Sequence, residues 1–314
     1  MKDIDWVGRW YSVARERGRS DRVDFGRVRE DGSLEWFDFP HELGDGVYAM
    51  QSTHQKLGRQ PPPTPRGRET APPQGWRKVA ILLNALRPTP LPPMRWRNPS
   101  PGAAATPKEI CWHVFTAAET KRILARAKGE GVSVNAWIMA RLNDTALPAL
   151  LAAPATGRWL FPVNMRGPLA DSPRGNQSSG IPVVARPGLT APEIHASIRE
   201  SLKGGAHWAT WWMLHAGKVV GLKGMAYLSK RSEQKSFWLG SFTNLGEWTS
   251  PEAPAGEAWL AAPPGSPNYP IGVGIVIWTG RMSIVFKVHP AVCADRALPP
   301  RIFEEFLGRL LRDA

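Results

Sequence analysis

Residues 40–46 read PHELGDG and follow SLEWFDF, residues 33–39. In that preceding stretch Leu34 and Trp36 alternate with Glu35 and Phe37, the period of two that marks a strand. After Gly46 the sequence VYAMQSTHQKLG places Val47, Met50 and Leu57 at near-helical spacing and stops at Gly58, a plausible helix-capping glycine. PHELGDG therefore reads as the turn between a strand and a helix. A histidine there, His41, projects from the rim of a sheet into whatever cleft adjoins it. Asp45, four residues on, does not easily reach the same ring and is better suited to bracing the turn, while Gly46 permits a tight backbone. Imidazole is the side chain that titrates near neutrality, so His41 is the candidate acid/base group.

The remaining pattern is regular. CWHVF (111–115) reads as a short strand, and Thr116 with Glu119 forms a capping box for the helix AAETKRILARAKGEG. Ser133 opens an amphipathic helix, and residues 192–203 read as another. RWLFPVNMR and GIPVVARP are strand-like around a loop rich in Gly, Pro and Asn. SFWLGSFTN, PIGVGIVIWTG and RMSIVFKVH are three strands, the last two joined as a hairpin at Thr279-Gly280, and residues 299–313 close the chain as an amphipathic helix. Between Arg59 and Pro107 the composition turns proline-rich, and only residues 75–86 look ordered, so this segment reads as a connector over the surface. The sequence thus divides into residues 1–58, which carry PHELGDG, a connector at 59–108, and a C-terminal α/β lobe at 109–314.

Composition bounds the chemistry. The 314 residues include 40 Lys plus Arg against 27 Asp plus Glu, a net charge of +13, which favours anionic partners such as nucleic acid, a phosphorylated cofactor or an acidic carrier protein. Two cysteines, Cys111 and Cys293, sit far apart without metal-ligand spacing, so no zinc site or disulfide framework is indicated and a reducing cytoplasm is the expected location. The longest clean apolar run, residues 271–278, is too short to cross a bilayer. His54, His113 and His289 read as structural. The tryptophans Trp208, Trp211, Trp212 and Trp238 read first as core packing, with an apolar acceptor pocket as the alternative.

PHELGDG resembles the HHxxxDG motif of the chloramphenicol acetyltransferase-like superfamily, which includes condensation domains, wax ester synthases and polyketide-associated acyltransferases. The second His of that motif, the catalytic one, falls on His41; the Asp and Gly fall on Asp45 and Gly46, and Pro40 replaces the first His. LFPVNMRGPLADSPRGNQSSGIPV (160–183) is similar to the segment PV(N/D)xR…GNxxG of the wax synthase and polyketide-associated branches, with Asn164, Arg166, Gly175 and Asn176 at the matching places. GSFTNLGEW (240–248) is similar to the family strand that ends near the reacting groups. Only 40 residues precede His41, fewer than family members usually carry, so the resemblance implies a two-layer α/β sandwich with a mixed sheet and a truncated N-terminal lobe.

What the resemblance implies chemically is acyl transfer. His41 would act as general base, with Ser241, Thr243 and Asn244 as oxyanion or substrate donors. Asp45 would hold the loop through a salt bridge whose basic partner is Arg9, Arg15, Arg17 or Arg166. Asn164, Arg166, Gly175 and Asn176 would order the lobe interface. No permanent cofactor or metal is expected. The donor would be an acyl-CoA or a phosphopantetheinyl thioester on an acidic acyl or peptidyl carrier protein, the acceptor a small hydroxyl or amine of secondary metabolism, and a homo-oligomer would be one way to complete the site. Two other classes are kept: a catalytically silent scaffold with the same fold, and a nucleic-acid-binding protein driven by charge, though no nucleic-acid motif supports the latter.

Overall fold

The computed structural model describes residues 5–16, 22–65, 67, 71–86, 94–102, 110–167, 175–233 and 238–314. Among these, the strands form two sheets. The larger is mixed and runs β3 (Cys111–Val114), β9 (Arg281–Val288), β8 (Ile271–Trp278), β6 (Gly240–Trp248), β4 (Gly157–Asn164), β5 (Ser178–Ala185) in spatial order. Its centre is parallel, with β6 pairing β4 on one side and β8 on the other, and its flanks are antiparallel. The smaller sheet is antiparallel, with β1 (Arg22–Val28) between β2 (Leu34–Pro40) and β7 (Ala258–Ala262).

Helices cover one face of the large sheet. Thr116 and Glu119 complete the expected capping box at the start of α4 (Ala117–Gly129), and Ser133 caps α5 (Val134–Leu150). Thr190 and Glu193 make a second capping box on α6 (Ala191–Lys203), and α9 (Leu298–Asp313) lays Ile302, Phe303, Phe306 and Leu310 inward. These helices share one core with Trp159, Ile181, Phe242, Ile275 and Phe286 of the sheet. The opposite face of the sheet is covered in part by the small sheet and α2 (Gly46–Lys56), around Phe25, Met50, Trp259 and Trp278.

β8 shows why the sequence folds this way. Ile271, Val273, Ile275 and Ile277 join the helix-side core, whereas Val276 and Trp278 join the other, so every residue of the strand is buried. A strand covered on both faces reads as an unbroken apolar run. Gly274 interrupts that run because the backbone of β7 crosses it: a Cβ there would lie 1.6 Å from the Ala261 carbonyl oxygen.

Two helices and part of the connector complete the surroundings of the turn. The first 29 residues carry no clear periodicity, yet they contain α1 (Trp6–Glu16) as well as β1; α1 packs on the His41 turn and on α8 (Gly217–Glu233). Residues 75–86 are helical, as α3 (Gly75–Leu86), and pack against α7 (Ala206–Leu214). The proline-rich stretch before α3 touches the C-terminal end of β4: the Pro65 carbonyl accepts from Asn164 Nδ2 at 2.8 Å, and Gly67 N donates to the Arg166 carbonyl at 2.9 Å.

Candidate active site

β2 delivers the chain to Pro40, whose extended backbone leads into a single tight turn, His41–Leu43. Asp45 then caps α2, its Oδ1 accepting from Tyr48 N at 3.1 Å. The same carboxylate receives a two-pronged guanidinium, Arg166 Nη1 to Oδ2 and Nη2 to Oδ1, both at 2.8 Å. Gln177 N and Ser178 Oγ also donate to Oδ2, each at 2.9 Å. Asp45 and Arg166 are both almost wholly buried, with side-chain exposures of 2% and 4%. Planar fork and carboxylate match in shape, and each charge is neutralised where water is excluded. Arg15 pairs with Glu42 instead, and Arg17 lies outside the described residues.

Gly46 owes its identity to packing rather than to an unusual backbone, since its φ is not positive. A Cβ there would meet Leu245 Cδ2 at 2.7 Å, so the first turn of α2 sits directly on β6. Gly175 does need its glycine conformation, with φ at +78°; its carbonyl accepts from Asp45 N, and it bridges to Gly44. Residues 168–174, in the middle of the matched loop, lie outside the described residues.

The half-buried His41 ring is held on two sides. Its Nδ1 lies 3.0 Å from Asn176 Oδ1. The ring of Tyr11, from α1, stacks on it with centroids 3.9 Å apart and planes 13° apart. Glu42 accepts from Ser12 Oγ at 2.9 Å, a second tie between α1 and the turn. Asn176 thus touches the imidazole itself, a closer contact than the interface role its motif implies.

Alternation along the strands decides which side of the sheet the other site residues face. Phe242 of β6 and Trp159 of β4 belong to the helix-side core, so Ser241, Thr243 and Asn164 point to the opposite side. Ser178 faces that side too, since it reaches Asp45. Ser241 Oγ and Thr243 Oγ1 are 3.2 Å apart. Asn244 is committed elsewhere: its Nδ2 donates to Asn135 Oδ1 at 2.7 Å and its Oδ1 accepts from Gly246 N at 2.8 Å, which holds the irregularity of β6 between Asn244 and Glu247. Burial pushes the imidazoles of His54, His113, His215 and His289 below the ordinary value, so their surroundings favour the neutral ring. Among the described residues no group of three His, Cys, Asp or Glu side chains is placed to hold a metal ion.

Sequence reasoning missed Asp5, Tyr11, Gln177 and Ser178. The last two sit beside the matched GN pair and could have been read from that adjacency. Asp5 and Tyr11 carry no local signal, because their partners lie far along the chain.

No protein-family model matches the chain, and no curated protein matches it. Solved structures do. The chain is similar to trichothecene 15-O-acetyltransferase from Fusarium sporotrichioides, with 13% identity and a TM-score of 0.52 over 76% of this chain and 52% of that one. It is similar to polyketide synthase associated protein 5 from Mycobacterium tuberculosis, with 16% identity and a TM-score of 0.51 over 91% and 75% of the two chains. The condensation domain of the Monacolin K polyketide synthase matches at 12% identity and a TM-score of 0.53, over 89% of this chain and 68% of that one. The chain spans about half the length of the trichothecene acetyltransferase. It has the chloramphenicol acetyltransferase-like fold, shared with condensation domains. No helix among the described residues is long and apolar enough to cross a membrane.

Proposed function

We propose that the protein is an acyltransferase that moves an acyl group from a CoA or carrier-protein thioester to a small hydroxyl or amine acceptor, with His41 as the general base. The observation that carries this reading is the placement of His41 on a turn locked by the Asp45–Arg166 fork. A base has to be held still in a fixed orientation, and that turn has little freedom. His41 takes the proton from the acceptor as its oxygen or nitrogen attacks the thioester carbonyl. The resulting oxyanion needs a donor, and the hydroxyls of Ser241 and Thr243 are better suited than Asn244, whose amide already holds the strand. The carbon–sulfur bond then breaks, and the imidazolium returns the proton to the leaving thiolate. No covalent enzyme intermediate is needed. The net charge of +13 supports an anionic donor, either the phosphates of CoA or an acidic carrier protein. Such an enzyme would work in the cytoplasm, in secondary metabolism.

The test is turnover of a panel of acyl-CoA and acyl-carrier thioesters by the wild type and by His41→Ala. Loss of a general base costs about 10²–10⁴-fold in rate, so the folded variant is expected to fall by that much in kcat. Full transfer by the folded variant removes His41 from the mechanism. Absence of any turnover in the wild type favours the silent-scaffold reading.

A further inference from the structure

Asn176 stands between groups that dictate which way its amide points. Its Nδ2 lies 3.1 Å from Asp5 Oδ2 and 3.0 Å from the His41 carbonyl oxygen, while its Oδ1 lies 3.0 Å from His41 Nδ1. A carboxylate and a backbone carbonyl can only accept, so both require the NH2 end of the amide. Turned over, the amide would set its oxygen against two acceptors. Oδ1 therefore faces the ring, and because it has no proton to give, His41 Nδ1 must supply one. In a neutral imidazole that leaves the lone pair on Nε2.

Asp5 is fixed in turn. Its Oδ1 accepts from Gly8 N at 2.8 Å in the first turn of α1, and its Oδ2 also accepts from Asn176 N at 3.2 Å. A helix cap alone needs only the first of these bonds. The second oxygen grips Asn176 through both backbone and side chain, across 171 residues of sequence. The same helix carries Tyr11, whose ring lies parallel to that of His41.

We propose that Asp5 and Asn176 are a positioning pair that holds His41 in its Nδ1–H tautomer, so that Nε2 is the basic nitrogen. Its consequence for catalysis rests on the reading of His41 as general base; the tautomer itself is a property of the protein without substrate. Imidazole in water prefers the opposite tautomer, so the pair does work against a default that reappears when it is broken.

The experiment is NMR of the full chain labelled with ¹⁵N in its histidine rings, at a pH where the rings are neutral, with the His41 signals identified by their loss in His41→Gln. The wild type is expected to show a protonated Nδ1 and an unprotonated Nε2 at His41. In Asp5→Asn the new amide keeps its oxygen on Gly8 N and turns its NH2 toward Asn176. That sets a donor against both Asn176 N–H groups and leaves only the His41 carbonyl to hold the NH2 end of the Asn176 amide, so the preference for Nδ1–H is expected to weaken and Nε2–H to become populated at His41. Asn caps a helix as well as Asp does, so α1 is expected to persist. Asn176→Leu removes the acceptor and is expected to give mainly Nε2–H as well. An Nε2–H wild type, or a His41 tautomer balance unchanged from the wild type in either folded single variant, overturns the pair. With an active thioester, Asp5→Asn is expected to lower kcat in proportion to the Nδ1–H population lost, with KM for the donor little changed. If no thioester turns over while the NMR pattern holds, the acyltransferase reading fails and the positioning pair stands.

Discussion

Asp45 and Arg166 form a buried ion pair, and the worth of such a pair lies in what its loss leaves behind. Arg166→Ala would strand the Asp45 carboxylate with only the Tyr48 and Gln177 amides and the Ser178 hydroxyl. Breaking a buried pair from one side costs about 3–5 kcal/mol, whereas replacing both charges with neutral groups costs much less. Urea unfolding is expected to show a loss of that size for Arg166→Ala and a clearly smaller one for the double variant Asp45→Asn with Arg166→Gln. Equal losses would mean that shape, not charge, holds the turn. At this scale the sequence was partly legible. PHELGDG, and the Asn-x-Arg and Gly-Asn pairs downstream, stand out by residue type and order, and Arg166 was among the basic partners named for Asp45. Which arginine it was could not be read, because a fork across 121 residues is set by the packing of β4 against the turn. Asp5 was illegible for the same reason: a carboxylate at the start of a helix looks like a cap in sequence.

At the scale of elements, two glycines separate a contact that can yield from one that cannot. Gly46→Ala would push against the far end of Leu245, a side chain able to move, while Gly274→Ala would drive a methyl into the Ala261 carbonyl of β7. Overpacking of the first kind costs about 1–3 kcal/mol. Gly46→Ala is expected to fall in that range and to be relieved by adding Leu245→Ala. Gly274→Ala is expected to cost more, with no rescue from side-chain trimming, because the small-sheet strand β7 would have to lift away from β8; denaturant unfolding of the three variants measures both. The same crossing explains which strands could be read. β2, β6, β8 and β9 announce themselves by alternation, by apolar runs or by a hairpin. β7, AWLAA, is buried at every position, so it shows no alternation, and it is too short to stand out as a run. α1 and β1 were hidden by a mixture of aromatic and Arg residues. In β1, Val23 and Phe25 enter the core around Met50 and Trp278, whereas in α1 the aromatic Tyr11 serves the His41 turn rather than a core stripe.

Over the whole molecule, buried and half-buried histidines tie stability to pH. His54 is sandwiched near Trp259 and Trp278, with ring centroids at 4.5 and 5.1 Å, and its Nδ1 lies 2.9 Å from the Met50 carbonyl. His215 bonds the Trp211 carbonyl in the same way, and His289 Nδ1 accepts from Ala291 N. Burial is the leading cause that lowers the pKa of these three and of His113. The folded chain therefore keeps these rings neutral at a pH where the unfolded chain protonates them, from about 6.5 downward. The unfolded state then binds more protons, so stability is fully present above about pH 6.5 and is lost as the pH falls toward the lowered folded-state values. The limiting slope is about 1.4 kcal/mol per pH unit for each such histidine. The melting temperature is expected to be level between pH 8 and 7 and to fall between pH 6.5 and 5, less steeply in His54→Leu. Repulsion within a chain of charge +13 also grows on acidification, but that part is screened by salt. Melts in about 0.5 M NaCl, where the Debye length drops well below 10 Å, separate the two: a fall that persists in salt and softens in His54→Leu belongs to the buried rings, and one that vanishes in salt assigns the pH dependence to surface charge alone.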